Sequence, residues 1–423
     1  MWYSNPTTTT FRRPNGNQWS LQNKKMRKMA ETSNTKSAVP LGEYTMVSEL
    51  TVSQKCDLIA ELSEMVMENP TGAFASPGVL ENGMKIPSRM RRLLELANPQ
   101  KNGFDDYTAR LAILSLLALF QDILPSYRIR LPTAEEMAVK VSKETKKTWD
   151  HEKQLLNHYQ QYLKLLRTTW EGDSQSPDSL AVTCMVAMCE LLKKAPHFNF
   201  RSTILTLVVR NMNHRKCRQV ADACCLAIET IFAIDAQGEV ALEATKLVAK
   251  FIKDRQFRVR PQVLRVFVSL PLRVHVDEAQ AAKLAAKANR KKRKRNKEEA
   301  AIEDELKESS GRVDKIILAR SQSDALQTVL LTYFRILKSE MVQEDLLPSA
   351  LEGLAKFAHL TNMDTVLDLL DVLKTLLKQV DSLPLDASLN CILTAFQTLQ
   401  GPGRELQIDQ KEYIVPLYSQ LSR

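Results

Sequence analysis

Seven cysteines are the side chains of this sequence best suited to metal binding or nucleophilic chemistry. Two groups lie close together along the chain, namely Cys184 and Cys189 with His197, and Cys217 with Cys224 and Cys225. A structural zinc site takes four ligands, commonly in paired Cys-x2–4-Cys clusters, and neither group has that spacing. Because the cysteines lie mostly within apolar helical patterns, we interpret them as buried, reduced thiols and predict no metal or cofactor.

The other reactive residues do not form a catalytic arrangement. The six histidines are scattered, and none lies near a G-x-S-x-G nucleophile signature. The chain lacks a G-x-x-x-x-G-K-[ST] phosphate loop, and Gly401 with Gly403 indicates only a connection between helices. Asp368 and Asp371 are explained at least as well by a solvated helix face as by acid and base catalysis. We therefore predict that this protein is not an enzyme.

A dense basic segment is the most specific signal in the sequence. Residues 283–297 contain nine lysines and arginines and no acidic residue, and residues 12–28 contain six more. The segment fits a nuclear localisation signal bound by an import receptor, and it also fits the neutralisation of nucleic-acid phosphates; a merely solvated arm is the third interpretation. No aromatic residues interleave with it, so base stacking is not predicted. The candidate residues are Arg290, Lys291, Lys292, Arg293, Lys294, Arg295 and Lys297.

Two smaller groups of cations lie at predicted turns. They are Arg128 and Arg130 in the motif PSYRIR, and Arg210, Arg215, Lys216 and Arg218 after the central helices. Turns at one edge of a helical array are where partners bind, so these six residues are secondary candidates for nucleic-acid contact. Exposed arginines at helix ends also serve solubility and the helix dipole, and this interpretation stays open.

Composition and periodicity predict the fold class. The 423 residues include only 12 glycines and 17 prolines beside 44% apolar residues, which favours an almost wholly helical protein. Residues 179–213 predict a hairpin of two buried helices, with Pro196 ending the first and Asn199 as the N-cap of the second. Predicted helices begin near residues 179, 200, 217, 238 and 260, which pair at intervals of about 40 residues, the period of HEAT-like repeats. We expect an all-α, HEAT-like or armadillo-like solenoid.

Helices are also predicted on both sides of this array. Residues 105–124 form a helix with Leu111, Leu114, Ala118 and Leu119 inward. The stretch from Pro132 to about Trp170 forms one long amphipathic helix or two helices, with Met137, Val141, Trp149, Leu155, Tyr159, Tyr162 and Leu166 on its buried side. Five further leucine-rich helices follow, at residues 325–338, 346–359, 364–380, 387–399 and 410–421.

Changes in composition divide the chain into five segments. We predict a disordered basic tail (1–43), an N-terminal helical domain (44–171), a central repeat array (179–275), a basic and acidic charged arm (276–311) and a C-terminal repeat domain (312–423). No stretch reaches 18 uncharged apolar residues, so no membrane contact is predicted, and the cysteine pattern favours a soluble protein of a reducing compartment.

Four segments together resemble the nucleolar complex protein 3 family. They are residues 115–166 with PSYRIR, residues 187–205 with PHFNFR, LLTYFRILK at 330–338 and residues 346–364 with LEGLAKFAHL. The resemblance extends from about residue 50 to the end. It implies a HEAT-like nucleolar protein that pairs with nucleolar complex protein 2 during assembly and intranuclear movement of the large ribosomal subunit precursor. Members of the family extend further at both ends, so we expect the C-terminal array to be truncated.

The combined interpretation is a non-enzymatic scaffold in nuclear ribosome assembly, which binds its protein partner through the helical body and pre-rRNA mainly through the basic arm. The resemblance also implies a second role, as a chromatin-bound adaptor that loads replication-licensing factors. A transport factor that binds cargo is a further alternative, although a permanent nuclear localisation signal argues against shuttling as its main task.

Overall fold

The computed structural model describes residues 47–75, 86–172, 179–272, 315–339, 345–360, 363–378, 385–400 and 411–421. Within these residues all regular secondary structure is helical, which confirms the predicted all-α class. The α-helices of the described part are α1 (Val52–Glu68), α2 (Arg89–Ala97), α3 (Asp106–Ile123), α4 (Ala134–Ala138), α5 (Lys143–Gly172), α6 (Leu180–Lys194), α7 (Arg201–Asn211), α8 (Arg218–Ile234), α9 (Glu239–Asp254), α10 (Pro261–Arg265), α11 (Lys315–Leu337), α12 (Leu346–Phe357), α13 (Met363–Lys378), α14 (Leu385–Gln400) and α15 (Lys411–Leu421). Short 3₁₀ helices cover Val47–Glu49, Val266–Ser269 and Ala358–Leu360.

Side-chain caps explain where the first helices begin. Thr51 and Gln54 form a capping box at α1, in which each side chain accepts a hydrogen bond from the backbone N–H of the other. Ser88 caps α2, and the carboxylate of Asp105 accepts the N–H groups of the first turn of α3. These caps satisfy backbone donors that have no partner inside the helix.

The central hairpin is confirmed. Ten of the fifteen residues of α6 are buried, so this helix is covered on nearly all sides, and α7 folds back against it. The predicted N-cap of α7 is wrong, because Phe200, with a φ of 67°, precedes the helix. Asn199 does not cap the helix because its side-chain amide is held by the backbone of Ile129.

The buried face of α3 differs from the prediction. Leu119 is buried and Leu111 is half-buried, but Leu114 is 45% exposed and Ala118 is exposed as well. The inward side chains are Thr108, Ala109, Ala112, Ile113, Leu116, Leu119 and Phe120. Since α3 is apolar around most of its circumference, periodicity alone does not define one face.

The stretch after Pro132 forms two helices, α4 and α5. Leu155, Tyr159, Tyr162 and Leu166 on α5 are buried as predicted, and Trp149 is half-buried. Met137 and Val141, which were expected on the same buried side, are 58% and 40% exposed. The chain leaves the helical conformation between α4 and α5, so these two residues are not in phase with the buried face of α5.

The described helices pack in two rows. In one row α3, α6, α8, α10, α12 and α14 each contact the next, while α7, α9 and α11 form the other row. The rows are joined where α6 meets α7, α8 meets α9 and α11 meets α12. At one end α1 and α2 pack on α3, and at the other α13 and α15 pack on α14.

All described helices belong to one compact unit. The division into the segments 44–171, 179–275 and 312–423, and the HEAT-like repeat geometry, stay predictions. The basic tail (1–43) and the charged arm (276–311) lie outside the described residues.

Candidate nucleic-acid and protein interfaces

The first pair of candidate arginines flanks a residue that anchors its turn. The backbone N–H of Ile129 donates to Asn199 Oδ1 at 2.9 Å, and Asn199 Nδ2 donates to the Ile129 carbonyl, also at 2.9 Å. Ile129 is buried, whereas Arg128 and Arg130 are exposed. The motifs PSYRIR and PHFNFR, 70 residues apart, are therefore in direct contact.

The two arginines of this turn have different surroundings. Arg130 forms an ion pair with Glu136 at 3.0 Å. The backbone N–H of Thr133, assisted by the charge of Arg130, lowers the pKa of Glu136, so this carboxylate is ionised at neutral pH. Arg128 has no ion pair with a described residue and extends into solvent. Of the two, Arg128 is the one available to a ligand.

A second turn is also held by an asparagine, which here bonds the two residues that flank the buried one. Asn213 Nδ2 donates to the Arg258 carbonyl at 3.1 Å, and the backbone N–H of Arg260 donates to Asn213 Oδ1 at 3.1 Å. Val259 between the two arginines is buried, as Ile129 is. Arg260 is paired with Asp222 at 3.2 Å, and Arg258 is exposed with no ion pair to a described residue. The sequences RIRLP and RVRP thus form two similar turns, each held by an asparagine.

Because Asn213 joins them, residues 210–218 and 255–260 lie side by side; we call these two segments the turn surface. They contain seven lysines and arginines and no aspartate or glutamate. The secondary candidates Arg210, Arg215, Lys216 and Arg218 are all exposed here, and Arg255 and Arg258 are exposed beside them. Arg218 lies 3.6 Å from Asp222, while Arg215 and Lys216 have no ion pair with a described residue.

Two left-handed residues and two backbone hydrogen bonds fix the backbone conformation of the second segment of the turn surface. Gln256 and Phe257 have φ values of 52° and 59°, in the left-handed region that residues other than glycine rarely adopt. The turn is held by hydrogen bonds from Phe257 N–H to the Ile252 carbonyl at 3.1 Å and from Arg258 N–H to the Arg255 carbonyl at 3.0 Å. Strained backbone of this kind clusters at ligand-binding sites, where surrounding structure maintains it.

His214 connects the turn surface to the end of α5. Its ring lies 5.3 Å from that of Trp170, and its Nδ1 accepts the backbone N–H of Cys217 at 3.0 Å. Burial, together with the charge of Lys216, lowers the pKa of His214 below its ordinary value of 6.5. The ring is therefore neutral at neutral pH and acts as part of the scaffold.

An open apolar cleft of about 520 Å³ lies between the segment around α4 and the start of α5. Its apolar lining consists of Leu131, Pro132, Met137, Val139, Val141 and Trp149. Met137 and Val139 are 58% and 64% exposed, which is unusual for clustered apolar side chains. Lys146, Asp150 and Lys153 complete the lining along one side of α5.

Six of the seven cysteines are buried thiols, as interpreted from the sequence. None of the seven forms a disulfide, and Cys56 is the half-buried exception. Burial raises the pKa of Cys184, Cys225 and Cys391 to about 12. Cys189 Sγ and Cys224 Sγ are 3.8 Å apart, but the described residues contain no group of three metal-binding side chains.

The sequence and the structure differ in which site residues each of them covers. Arg290 to Arg295 and Lys297 fall outside the described residues. Asn213, Arg255, Arg258 and the apolar cleft were not found from the sequence, although the repeated Arg-aliphatic-Arg pattern before proline was a usable signal. Among the described residues no helix has the length and apolar character needed to cross a bilayer.

Comparison with known proteins agrees with the resemblance of the motifs. The model of the family described as Nucleolar complex-associated protein matches residues 54–162, a range that contains PSYRIR and the apolar cleft. Nucleolar complex protein 3 homolog of Homo sapiens is 34% identical over 387 residues, covering 86% of this chain and 46% of that protein.

The chain is also similar to a yeast protein and a plant protein. Nucleolar complex-associated protein 3 of Schizosaccharomyces pombe is 31% identical over 337 residues, covering 73% of this chain and 45% of that protein. The Arabidopsis thaliana protein of the same name is 29% identical and covers 92% of this chain and 51% of its own length. The chain thus spans about half the length of the curated relatives that it matches. On these matches, the chain belongs to the nucleolar complex protein 3 family.

Proposed function

We propose that this protein is a non-enzymatic scaffold of the nucleolus that acts in assembly and intranuclear transport of the large ribosomal subunit precursor. In this role it binds a partner of the nucleolar complex protein 2 type and pre-rRNA. Its family, whose members are named after a nucleolar complex, supports the compartment. The structural observation that carries the proposal is the apolar cleft within the segment that the family model matches.

The cleft has the properties of a protein-binding site. Exposed apolar side chains that cluster on a folded body mark surfaces that a partner covers, whereas apolar residues scattered singly over a surface are normal. A volume of about 520 Å³ accommodates several apolar side chains of one peptide segment. Lys146, Asp150 and Lys153 along α5 would contact polar groups at the edge of that segment. We assign this cleft to the protein partner.

RNA binding and nuclear import are assigned to other parts of the chain. The basic residues from Arg290 to Lys297 would bind an import receptor and contact pre-rRNA phosphates. The two rows of helices support a HEAT-like solenoid as the frame that holds these functions together.

The first test is affinity purification of the tagged full chain from nuclei, with and without RNase, followed by mass spectrometry. The variant Met137→Lys/Val139→Lys places two charges in the cleft, and Leu226→Lys/Ile234→Lys is the matched control on α8. Leu226 and Ile234 are exposed apolar residues outside the cleft. We expect the cleft variant to lose the partner at least about tenfold, because burying an unpaired lysine in an apolar contact costs several kcal/mol.

The outcomes separate the candidate functions. The scaffold proposal expects large-subunit ribosomal proteins that are lost on RNase treatment and a nucleolar partner that is retained. Retention of that partner by the cleft variant, or its equal loss from the control, would contradict the assignment of the cleft. Replication-licensing factors on RNase-resistant chromatin would favour the second role that the family resemblance implies, which no feature of the described residues favours.

A further inference from the structure

We propose that the turn surface, residues 210–218 and 255–260, binds the phosphate backbone of base-paired RNA without reading its sequence. The proposal rests on the proposed function only for the choice of RNA among polyanions. It places an RNA site on the folded body, in addition to the basic arm.

The charge distribution at this surface favours a polyanion. Seven cations occupy two short segments that contain no acidic residue. Asp222, a carboxylate that reaches this surface, is already shared by Arg218 and Arg260, and Asp254 lies next to the second segment at the end of α9. Arg215, Lys216 and Arg258 are exposed and have no ion pair with a described residue. Each is therefore able to neutralise a phosphate and release its condensed counterion.

The geometry of the surface is fixed before a ligand arrives. Asn213 holds the backbone at Arg258 and Arg260 through two hydrogen bonds of 3.1 Å. The left-handed residues Gln256 and Phe257 and their backbone hydrogen bonds set the direction of the second turn. A ligand that binds here does not have to order the loops, because the entropy of ordering them is already spent when the chain folds.

The aromatic side chains of this surface favour phosphates over unpaired bases. Binding of single strands depends on exposed rings on which bases stack. Phe257 packs against the hydrophobic core, and the ring of His214 contacts Trp170. A base-paired stem presents regularly spaced phosphates and needs no stacking partner, so it is the ligand that fits.

The experiment measures binding of a fluorescent RNA hairpin with a long stem to the full chain, by anisotropy over a range of salt concentrations. The test variant is Arg215→Ala/Lys216→Ala/Arg258→Ala. The control, Lys140→Ala/Lys143→Ala/Lys147→Ala, removes the same charge near the start of α5, roughly 40 Å along the helix from Trp170. The basic arm is present in every variant, so differences report only the substituted residues.

We expect the test variant to bind the hairpin about tenfold more weakly at physiological salt, and its salt slope to fall by about one for each phosphate that is no longer neutralised. The control should stay near wild type. The variant Arg215→Lys/Arg258→Lys, which keeps both charges, should also stay near wild type, because the release of counterions from the RNA depends on the number of cations that contact its phosphates. A second hairpin of scrambled sequence should give the same values.

Three results would overturn the proposal. They are an unchanged salt slope in the test variant, an equal loss of affinity in the control, and a loss of affinity in the charge-preserving variant as large as in the alanine variant. Thermal unfolding of each variant shows whether the fold is intact. The measurement uses purified protein without a partner, so its failure leaves the scaffold function in place, and failure of the pull-down leaves this RNA site in place.

Discussion

His158 on α5 is held as a neutral imidazole within the N-terminal part of the protein. Its Nδ1–H donates to the Gln154 carbonyl at 2.8 Å, and its Nε2 lies 3.4 Å from Ser88 Oγ. The Phe74 ring is 5.2 Å away. Burial, with a further contribution from the charge of Arg91, lowers the pKa of His158 below 6.5. A charged imidazole is therefore unfavourable at this position.

The consequence is a loss of stability in acid. In the unfolded chain this histidine binds a proton with a pKa near 6.5, and in the folded chain its pKa is lower. The free energy of unfolding is therefore highest above pH 6.5 and decreases as the pH falls below that value. In His158→Asn this contribution is absent, and Asn can still donate to Gln154. We expect the urea midpoint of wild type to fall more steeply between pH 7.5 and 5.5 than that of the variant. Parallel curves would show that His158 does not titrate in this way.

At the scale of single residues, the sequence predicted burial better than contact. Six of the seven cysteines were correctly assigned to the core, because a thiol within an apolar helical pattern packs favourably against its apolar neighbours. The contact of Asn199 with Ile129 was not predicted, because a residue 70 positions away satisfies its amide. Arg258 was missed because its position beside residues 210–218 depends on the contact with Asn213, which only the folded chain forms.

Among the helices, the junction of α11 and α12 depends on one glycine. A Cβ atom at Gly353 would lie 2.1 Å from the hydroxyl oxygen of Tyr333, far inside van der Waals contact. Tyr333 is fully buried on α11 and its ring lies 6.1 Å from that of Phe267. The absence of a side chain at residue 353 lets the tyrosine pack between the helices.

Gly353→Ala should therefore destabilise the protein by about 1–3 kcal/mol, the cost of overpacking a filled core. The control is Gly172→Ala at the end of α5, where a new Cβ would have no heavy atom within 4 Å. That substitution should be neutral or stabilise by up to about 1 kcal/mol through the unfolded state. Chemical denaturation of both variants provides the measurement, and equal stability of the two would contradict this account of the junction.

The positions of the helices along the chain could be predicted, but the buried face of a helix could not always be predicted. Stop signals such as Pro196 are local, so the bounds of most described helices agree with the predicted ones to within a few residues, whereas α11 begins at Lys315, ten residues before its predicted start. The predicted buried face of α3 was wrong because a helix that is apolar on most sides has no polar side to mark the exposed face. Met137 and Val141 were placed inside because the interruption before α5 carries no glycine or proline.

For the whole molecule, the two basic regions have separate roles under our proposals. The arm around Arg290 to Lys297 would bind both the import receptor and RNA, whereas the turn surface would bind only RNA. Import receptors recognise an extended basic peptide, and the turn surface is part of a folded body.

Alanine at Lys291, Lys292, Arg293, Lys294 and Arg295 should reduce nuclear accumulation of the chain and lower its RNA affinity uniformly across sequences. The triple alanine variant of the turn surface should lower RNA affinity and leave accumulation unchanged. Quantitative imaging of tagged chains beside the anisotropy measurement tests both statements. Undiminished import together with an unchanged salt slope in the arm variant would contradict this role of the arm.

Helix α5 gives the molecule a fixed internal distance. It runs without interruption from Trp149 at the apolar cleft to Trp170 at the turn surface, a separation of roughly 30 Å at 1.5 Å per residue. A partner protein in the cleft and an RNA stem on the turn surface would thus be held at one spacing. If that partner also contacts the same RNA, its second binding event becomes intramolecular, with an effective concentration set by the length of this helix. A rigid spacer of this kind favours particles in which the two ligands already lie at that distance.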